Sequence, residues 1–180
     1  TSSPQRPKRC GGSWSKWRAA SGPRSTAGTG GGVYFSIQYP GQSLTINNAQ
    51  FLGNIAQPLT ATPGNSNGGG LTVAERCAGT LTTPVTVFIA NSVFQDNRAQ
   101  PVALEGHGAA ILLSGYADVT ITDTRIVDNQ VVLPAAPIGN NNGGGLWARA
   151  KSVRIERSEI SGNSADFGGG LRLNNDVPEL

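Results

Sequence analysis

Hydrophobic and polar residues alternate along four short segments of this chain, and the four segments repeat one pattern. Apolar positions lie two residues apart and β-branched residues are frequent, which predicts short β-strands with one face turned inward. The four copies are residues 44–54 (LTINNAQFLGN), 87–97 (VFIANSVFQDN), 119–129 (VTITDTRIVDN) and 153–163 (VRIERSEISGN). One such strand cannot bury its inner face unaided, whereas like segments stacked about 4.8 Å apart bury it against their own copies.

Alignment of the four copies places like residues in columns. One interior column consists of isoleucines: Ile46, Ile89, Ile121 and Ile155. A second column, at the end of each copy, consists of asparagines: Asn54, Asn97, Asn129 and Asn163. A side-chain amide repeated at one corner can bond to the copies above and below it, so these asparagines are predicted to form a structural ladder.

A second phrase, rich in glycine, precedes a further set of apolar strands. It recurs at residues 30–33, 68–71, 108–111, 143–146 and 168–171. Glycine before a strand permits a positive φ where the chain turns sharply. Because Ala109 and Ala110 occupy the second and third places in one copy, the first glycine is the one expected to be required.

These repeats predict an all-β fold, a right-handed parallel β-helix (solenoid) of about four to five coils, with long loops and an N-terminal arm or cap. Residues 1–28 are expected to form the basic arm or cap, and residues 29–180 the β-helix domain. The end coils of such a stack expose strand edges that something must cover. The loops 55–67, 74–84 and 131–142, together with the end 171–180, are the expected partner contacts.

The pairing of a GG[AGL][ILV] phrase with an FxxN phrase resembles the polymorphic outer-membrane protein repeats of chlamydial surface adhesins, within the pectin-lyase-like β-helix class. Residues 51–54 and 94–97 match the second phrase, while 126–129 and 160–163 have isoleucine in place of phenylalanine. The resemblance covers residues 29–175. Similar repeats occur in large surface proteins of algae and other eukaryotes. It implies an extracellular, non-catalytic scaffold that contacts protein or glycan.

Charge is unevenly distributed along the chain. Residues 1–30 contain six Lys or Arg and no acid, and the other 150 residues carry eight basic and eleven acidic side chains. The arm, with Trp14 and Trp17, is expected to cap the first coil; a grip on an acidic polymer is the alternative. No nucleic-acid partner is expected, because no nucleic-acid-binding signature accompanies the arm.

The two cysteines, Cys10 and Cys77, are predicted to form a disulfide in a secreted domain, which the chain-entropy model values at about 4 kcal/mol. Two buried thiols are the alternative. With a single histidine, zinc is not expected, and the asparagine-rich runs lack the repeated aspartates of calcium-binding repeats. We predict no cofactor and no metal. The chain shows no signal peptide or long apolar run, so any membrane anchor is expected outside the residues shown.

The function predicted from these features is a non-catalytic structural and protein-interaction module of an extracellular or cell-surface assembly, with a ciliary surface as one option. Two alternatives stay open: a carbohydrate-active β-helix enzyme acting on polyuronates as hydrolase or lyase, and a glycan-binding module. The enzyme alternative rests on the Gly106-His107-Gly108 phrase and on Asp96 and Asp128, which share one corner column. Two stacked carboxylates can act as acid and base, but they are also ordinary turn residues.

Overall fold

The computed structural model of the chain describes residues 26–27, 31–38, 40–57, 64–75, 83–101, 103–132 and 141–174. Cys10, Cys77, Trp14 and Trp17 lie outside the described residues, so the disulfide and the cap stay predictions. The central parts of the three expected contact loops and residues 175–180 lie outside them as well.

The described residues form 19 β-strands and no helix, and all strand pairs among them are parallel. The prediction of an all-β chain with parallel strands is confirmed. Alternation at a period of two within each repeat is what turns one face of every strand inward.

Three sheets enclose the apolar interior. Sheet 1 follows the glycine phrases and contains β2 (Val33–Ile37), β7 (Leu71–Glu75), β12 (Ile111–Ser114), β16 (Leu146–Arg149) and β19 (Leu171–Leu173). Sheet 2 contains β3 (Ser43–Asn47), β8 (Val85–Ala90), β13 (Ala117–Thr122) and β17 (Ser152–Glu156). Sheet 3 contains β4 (Gln50–Leu52), β9 (Val93–Gln95), β14 (Arg125–Val127) and β18 (Glu159–Ser161).

Two smaller sheets complete the described structure. Sheet 4 contains β1 (Thr26–Ala27), β5 (Ile55–Ala56), β10 (Arg98–Ala99) and β15 (Gln130–Val131). Sheet 5 pairs β6 (Gly64–Asn67) with β11 (Ala103–His107). Isolated β-bridges continue the pairing of sheet 5 into the later repeats, from His107 to Asn142 and from Asn142 to Phe167.

The strand register follows the sequence repeats. In sheet 2, Ile46 lies opposite Ile89, Ile89 opposite Ile121, and Ile121 opposite Ile155. A slip of one residue would turn the isoleucine column outward, so the apolar column fixes the register. In sheet 3 the neighbouring rings of Phe51 and Phe94 stack with centroids 4.4 Å apart and planes 3° from parallel.

The first glycine of each described glycine phrase adopts a positive φ: Gly68 at 60°, Gly108 at 58°, Gly143 at 61° and Gly168 at 61°. A Cβ on Gly108 would lie 2.2 Å from the carbonyl oxygen of Ile111. The two alanines that follow Gly108 keep their backbone hydrogen bonds to the next repeat, although these bonds are long. The amides of Ala109 and Ala110 each lie 3.3 Å from their acceptors.

Candidate functional site

The four column asparagines are joined by their side chains. The amide nitrogens of Asn54, Asn97 and Asn129 each donate to the Oδ1 atom of the asparagine in the following repeat, over 2.8, 2.9 and 2.9 Å. The same oxygens also accept the backbone N–H groups of these three residues. Each later asparagine donates back to the preceding repeat, for example from Asn97 Nδ2 to the Phe51 carbonyl over 2.8 Å. The column therefore satisfies backbone groups of the buried corner, which is a structural duty.

A second ladder, formed by hydroxyl groups, lies at the junction between sheets 2 and 3. The Ser92 hydroxyl accepts the amide of Ala49 over 3.1 Å, and the Ser158 hydroxyl accepts the amide of Thr124 over 3.1 Å. Each hydroxyl donates to the carbonyl two residues earlier in its own repeat. The sequence marks this column only by small size; its hydrogen bonds were not apparent from the pattern.

Burial differs sharply between the first and the last repeat. Ile46, in the first repeat, is 5 % exposed and Ile121, in the third, is 0 % exposed, whereas Ile155 and Val153 in the last repeat are partly buried. Sheet 1 shows the same trend, because Leu146 on β16 is fully buried whereas Leu171, its neighbour on β19, is 37 % exposed. The interior is closed at the first repeat and open at the last.

The open end, defined as Val153, Ile155, Ile160, Phe167, Leu171 and Leu173, presents apolar side chains beside unpaired strand edges. Leu171 is 37 % exposed, and Phe167 and Leu173 are each 50 % exposed. In the described structure β17, β18 and β19 each have a strand neighbour on one side only. Such an edge is a template for pairing with another strand.

The residues considered for catalysis lie at exposed turns or are hydrogen-bonded to other groups. Asp96 and Asp128 are exposed turn residues with φ of 56° and 57°, and their column partners Gly53 and Gly162 have φ of 62° and 64°. His107 bonds elsewhere: its Nε2 lies 3.3 Å from a Glu105 oxygen and its Nδ1 lies 3.0 Å from Asn142 Nδ2. The geometry does not bring the histidine and these two aspartates into one hydrogen-bonded group.

A groove of about 410 Å³ lies on the outer face of sheet 1, bounded by the row of sheet 5. It is lined by Tyr34, Asn67, Thr72, Ala74, His107, Leu112, Ser114 and Trp147. The outward positions Tyr34, Thr72, Leu112 and Trp147 lie opposite one another on successive strands. The His107 and Trp147 rings stack at 5.2 Å, with planes 26° apart.

Polar side chains at one end of this groove form a chain with a defined direction. Arg172 donates to Asn142 Oδ1, which leaves the Asn142 amide nitrogen to donate to Nδ1 of His107. The proton of the neutral imidazole therefore sits on Nε2, facing Glu105. Burial lowers the pKa of His107 below its ordinary value of 6.5, and Arg172 lowers it further, while Glu105 acts in the opposite direction. The histidine is neutral at neutral pH.

Tyr34 and Trp147 were not predicted as site residues from the sequence, whereas His107 was considered there for catalysis. Two positions in each repeat supply the residues that line the groove. Asn67, His107 and Asn142 each immediately precede the first glycine of a phrase, and Tyr34 and Trp147 each occupy the second residue of the following strand. Both positions face outward, where a search for apolar interior columns does not look.

The described residues contain no group of three or more His, Cys, Asp or Glu side chains arranged to hold a metal ion. Among the described elements there is no helix of the length and hydropathy needed to cross a membrane. In comparisons with known proteins, no family model, no curated protein and no solved structure matches this chain.

Proposed function

We propose that the chain is a right-handed parallel β-helix that serves as a non-catalytic module of a surface assembly, and that its open end binds a partner protein through further β-strands. The observation that carries this proposal is the exposure of Leu171, Leu173 and Phe167 beside unpaired strand edges. Complete burial of a large apolar side chain contributes about 1.5–3 kcal/mol to the free energy of association. A partner that stacks on the open end would bury several such side chains at once.

The in-phase stacking of equivalent strands supports the helical architecture. Successive repeats place like strands side by side in sheets 1, 2 and 3, in chain order. The right hand follows from the strong preference for right-handed crossovers between parallel strands. On the same basis we propose kinship with the polymorphic outer-membrane protein repeats and a place at the cell surface, with a cilium as one option.

The proposal is tested by capture of the partner from a cell-surface fraction of the source organism. The double variant Leu171→Lys/Leu173→Lys places two charges on the open end, where the partner would have to desolvate them. We expect this variant to lose the partner and to keep the parent circular dichroism. The matched control is Leu52→Lys, because Leu52 is 41 % exposed in the first repeat, away from the open end.

Capture that survives the double variant, or that is lost equally in the Leu52→Lys control, would contradict this function. Variants with loops 58–63, 76–82 or 133–140 shortened test whether the partner contacts those loops in addition. Incubation with polyuronates checks the enzyme alternative: the proposal predicts no new reducing ends and no unsaturated products.

A further inference from the structure

The groove on the outer face of sheet 1 combines ring faces with hydrogen-bonding groups. Tyr34 is 40 % exposed, and Trp147 is partly exposed with its indole held against His107. Tyr34 and Trp147 lie three strand spacings apart, a distance of about 14 Å. Thr72 and Leu112 form the floor between them and are buried.

One polar atom of the groove lacks a protein partner. In the described part of the chain, Oδ1 of Asn67 is out of contact with solvent and accepts no hydrogen bond. An unpaired acceptor inside a protein is unfavourable. Asn67 itself is partly exposed and lines the groove, so a ligand hydroxyl bound beside it is the donor that we expect this oxygen to take.

We propose that this groove binds an uncharged oligosaccharide. The flat C–H faces of sugar rings pack on Tyr34 and Trp147, and sugar hydroxyls bond to the Asn67 amide and to the polar groups beside it. This site is distinct from the open end, since neither Leu171 nor Leu173 lines it.

The charges around the groove favour an uncharged ligand. None of the lining side chains is an acid, a lysine or an arginine. Arg172, at the end of the row, already donates to Asn142 and lies 5.4 Å above the centre of the Phe167 ring. A carboxylate in the groove would lose water without gaining an uncommitted cation.

The position of the groove disfavours an extended peptide. Peptides gain affinity by adding a strand to a sheet edge, where backbone groups await partners. The groove instead lies on the face of sheet 1, and the backbones of β7 and β12 are paired on both sides. Sugar hydroxyls need only isolated side-chain donors and acceptors.

The test is an NMR titration of the whole chain that follows the backbone amide of Leu112, a groove-lining residue that every variant keeps. The probes are hexasaccharides of glucose, mannose, galactose and N-acetylglucosamine, with hexagalacturonate and a polyalanine peptide as the charged and peptide arms. We expect at least one neutral hexasaccharide to shift this signal. Trp147→Ala should weaken its binding about tenfold, and Trp147→Phe should retain most of it because a ring face remains.

Phe88→Ala is the matched control, since Phe88 is an exposed ring on the outer face of sheet 2, and it should leave affinity unchanged. If Trp147→Ala fails to fold, Tyr34→Ala supplies the same comparison at the other end of the groove. The proposal is overturned if no neutral hexasaccharide binds, if binding is indifferent to both aromatic substitutions, or if only hexagalacturonate or the peptide binds. None of these results depends on capture of a partner at the open end.

Discussion

Asn129 shows how one buried side chain can hold three repeats together. Its amide nitrogen lies within hydrogen-bond distance of the carbonyls of Phe94 and Val127 and of Asn163 Oδ1, so one of its two hydrogens is shared. Its oxygen accepts the backbone N–H and the side-chain amide of Asn97. Aspartate has no N–H donors for the carbonyls, and serine cannot reach in both directions, which is the physical reason for an asparagine here.

Asn129→Ala is expected to lower the free energy of unfolding by about 3 kcal/mol or more, because several buried partners lose their hydrogen bonds at once. Asn163→Ala, at the partly buried end of the same row, should cost about 1 kcal/mol. Urea unfolding of both variants measures the difference. Equal losses would show that the row acts only locally within each repeat.

Gly108→Ala is expected to destabilise the chain by about 2 kcal/mol or more, because φ is positive there and the new Cβ would meet the Ile111 carbonyl. The matched variant Ala110→Gly, two residues later, should cost only about 0.5–1 kcal/mol. Thermal or urea unfolding gives both values, and a harmless Gly108→Ala would contradict the role given to the first glycine.

The sequence identifies these residues well because the columns are repeated. The four asparagines and the first glycines stand out by alignment of the copies with each other. It does not identify the carbonyls that they bond, since those depend on how far the chain bends between sheets.

The type and register of the strands follow from the apolar columns of the sequence, whereas the groove does not. Its ring-bearing strands, β2 and β16, are separated by β7 and β12, which place Thr72 and Leu112 in the same outward row. No interior pattern constrains an outward row, so its chemistry is visible only once the strands are stacked.

The groove histidine provides a test of the polar chain around it. Arg172→Gln is expected to raise the pKa of His107, because a nearby positive charge is removed, and Glu105→Gln is expected to lower it. NMR titration of the imidazole signals measures both shifts. Shifts of the opposite sign would show that the chain from Arg172 to Glu105 is arranged differently in solution.

The lowered pKa of His107 also has a consequence for stability. Below pH 6.5 the unfolded chain takes up a proton on this residue more readily than the folded chain does, so stability falls as the pH drops from 6.5 toward the folded pKa. Above pH 6.5 the neutral histidine makes its full contribution to the free energy of unfolding. Urea unfolding of His107→Gln should show a flatter dependence on pH in that window, and an unchanged slope would contradict the assignment.

Along the stack of repeats, the difference between a closed first repeat and an open last one predicts a gradient of local stability. Amides of β17, β18 and β19 should exchange with deuterium at least about tenfold faster than those of β8 and β13, because few contacts oppose their opening. Hydrogen exchange followed by NMR measures this gradient. Uniform protection along the stack would contradict it, and binding of a partner at the open end should remove it.

The asparagine row also gives the molecule a polarity. The amide nitrogens of Asn54, Asn97 and Asn129 each point to the oxygen of the next asparagine in chain order. The oxygen of the last member, Asn163, is already taken by Asn129, so its amide nitrogen is the group expected to continue the row at the open end. Two identical open ends brought face to face would set donor against donor. A partner strand that continues the row beyond Asn163 would therefore have to place an acceptor, such as a further amide oxygen, at this corner.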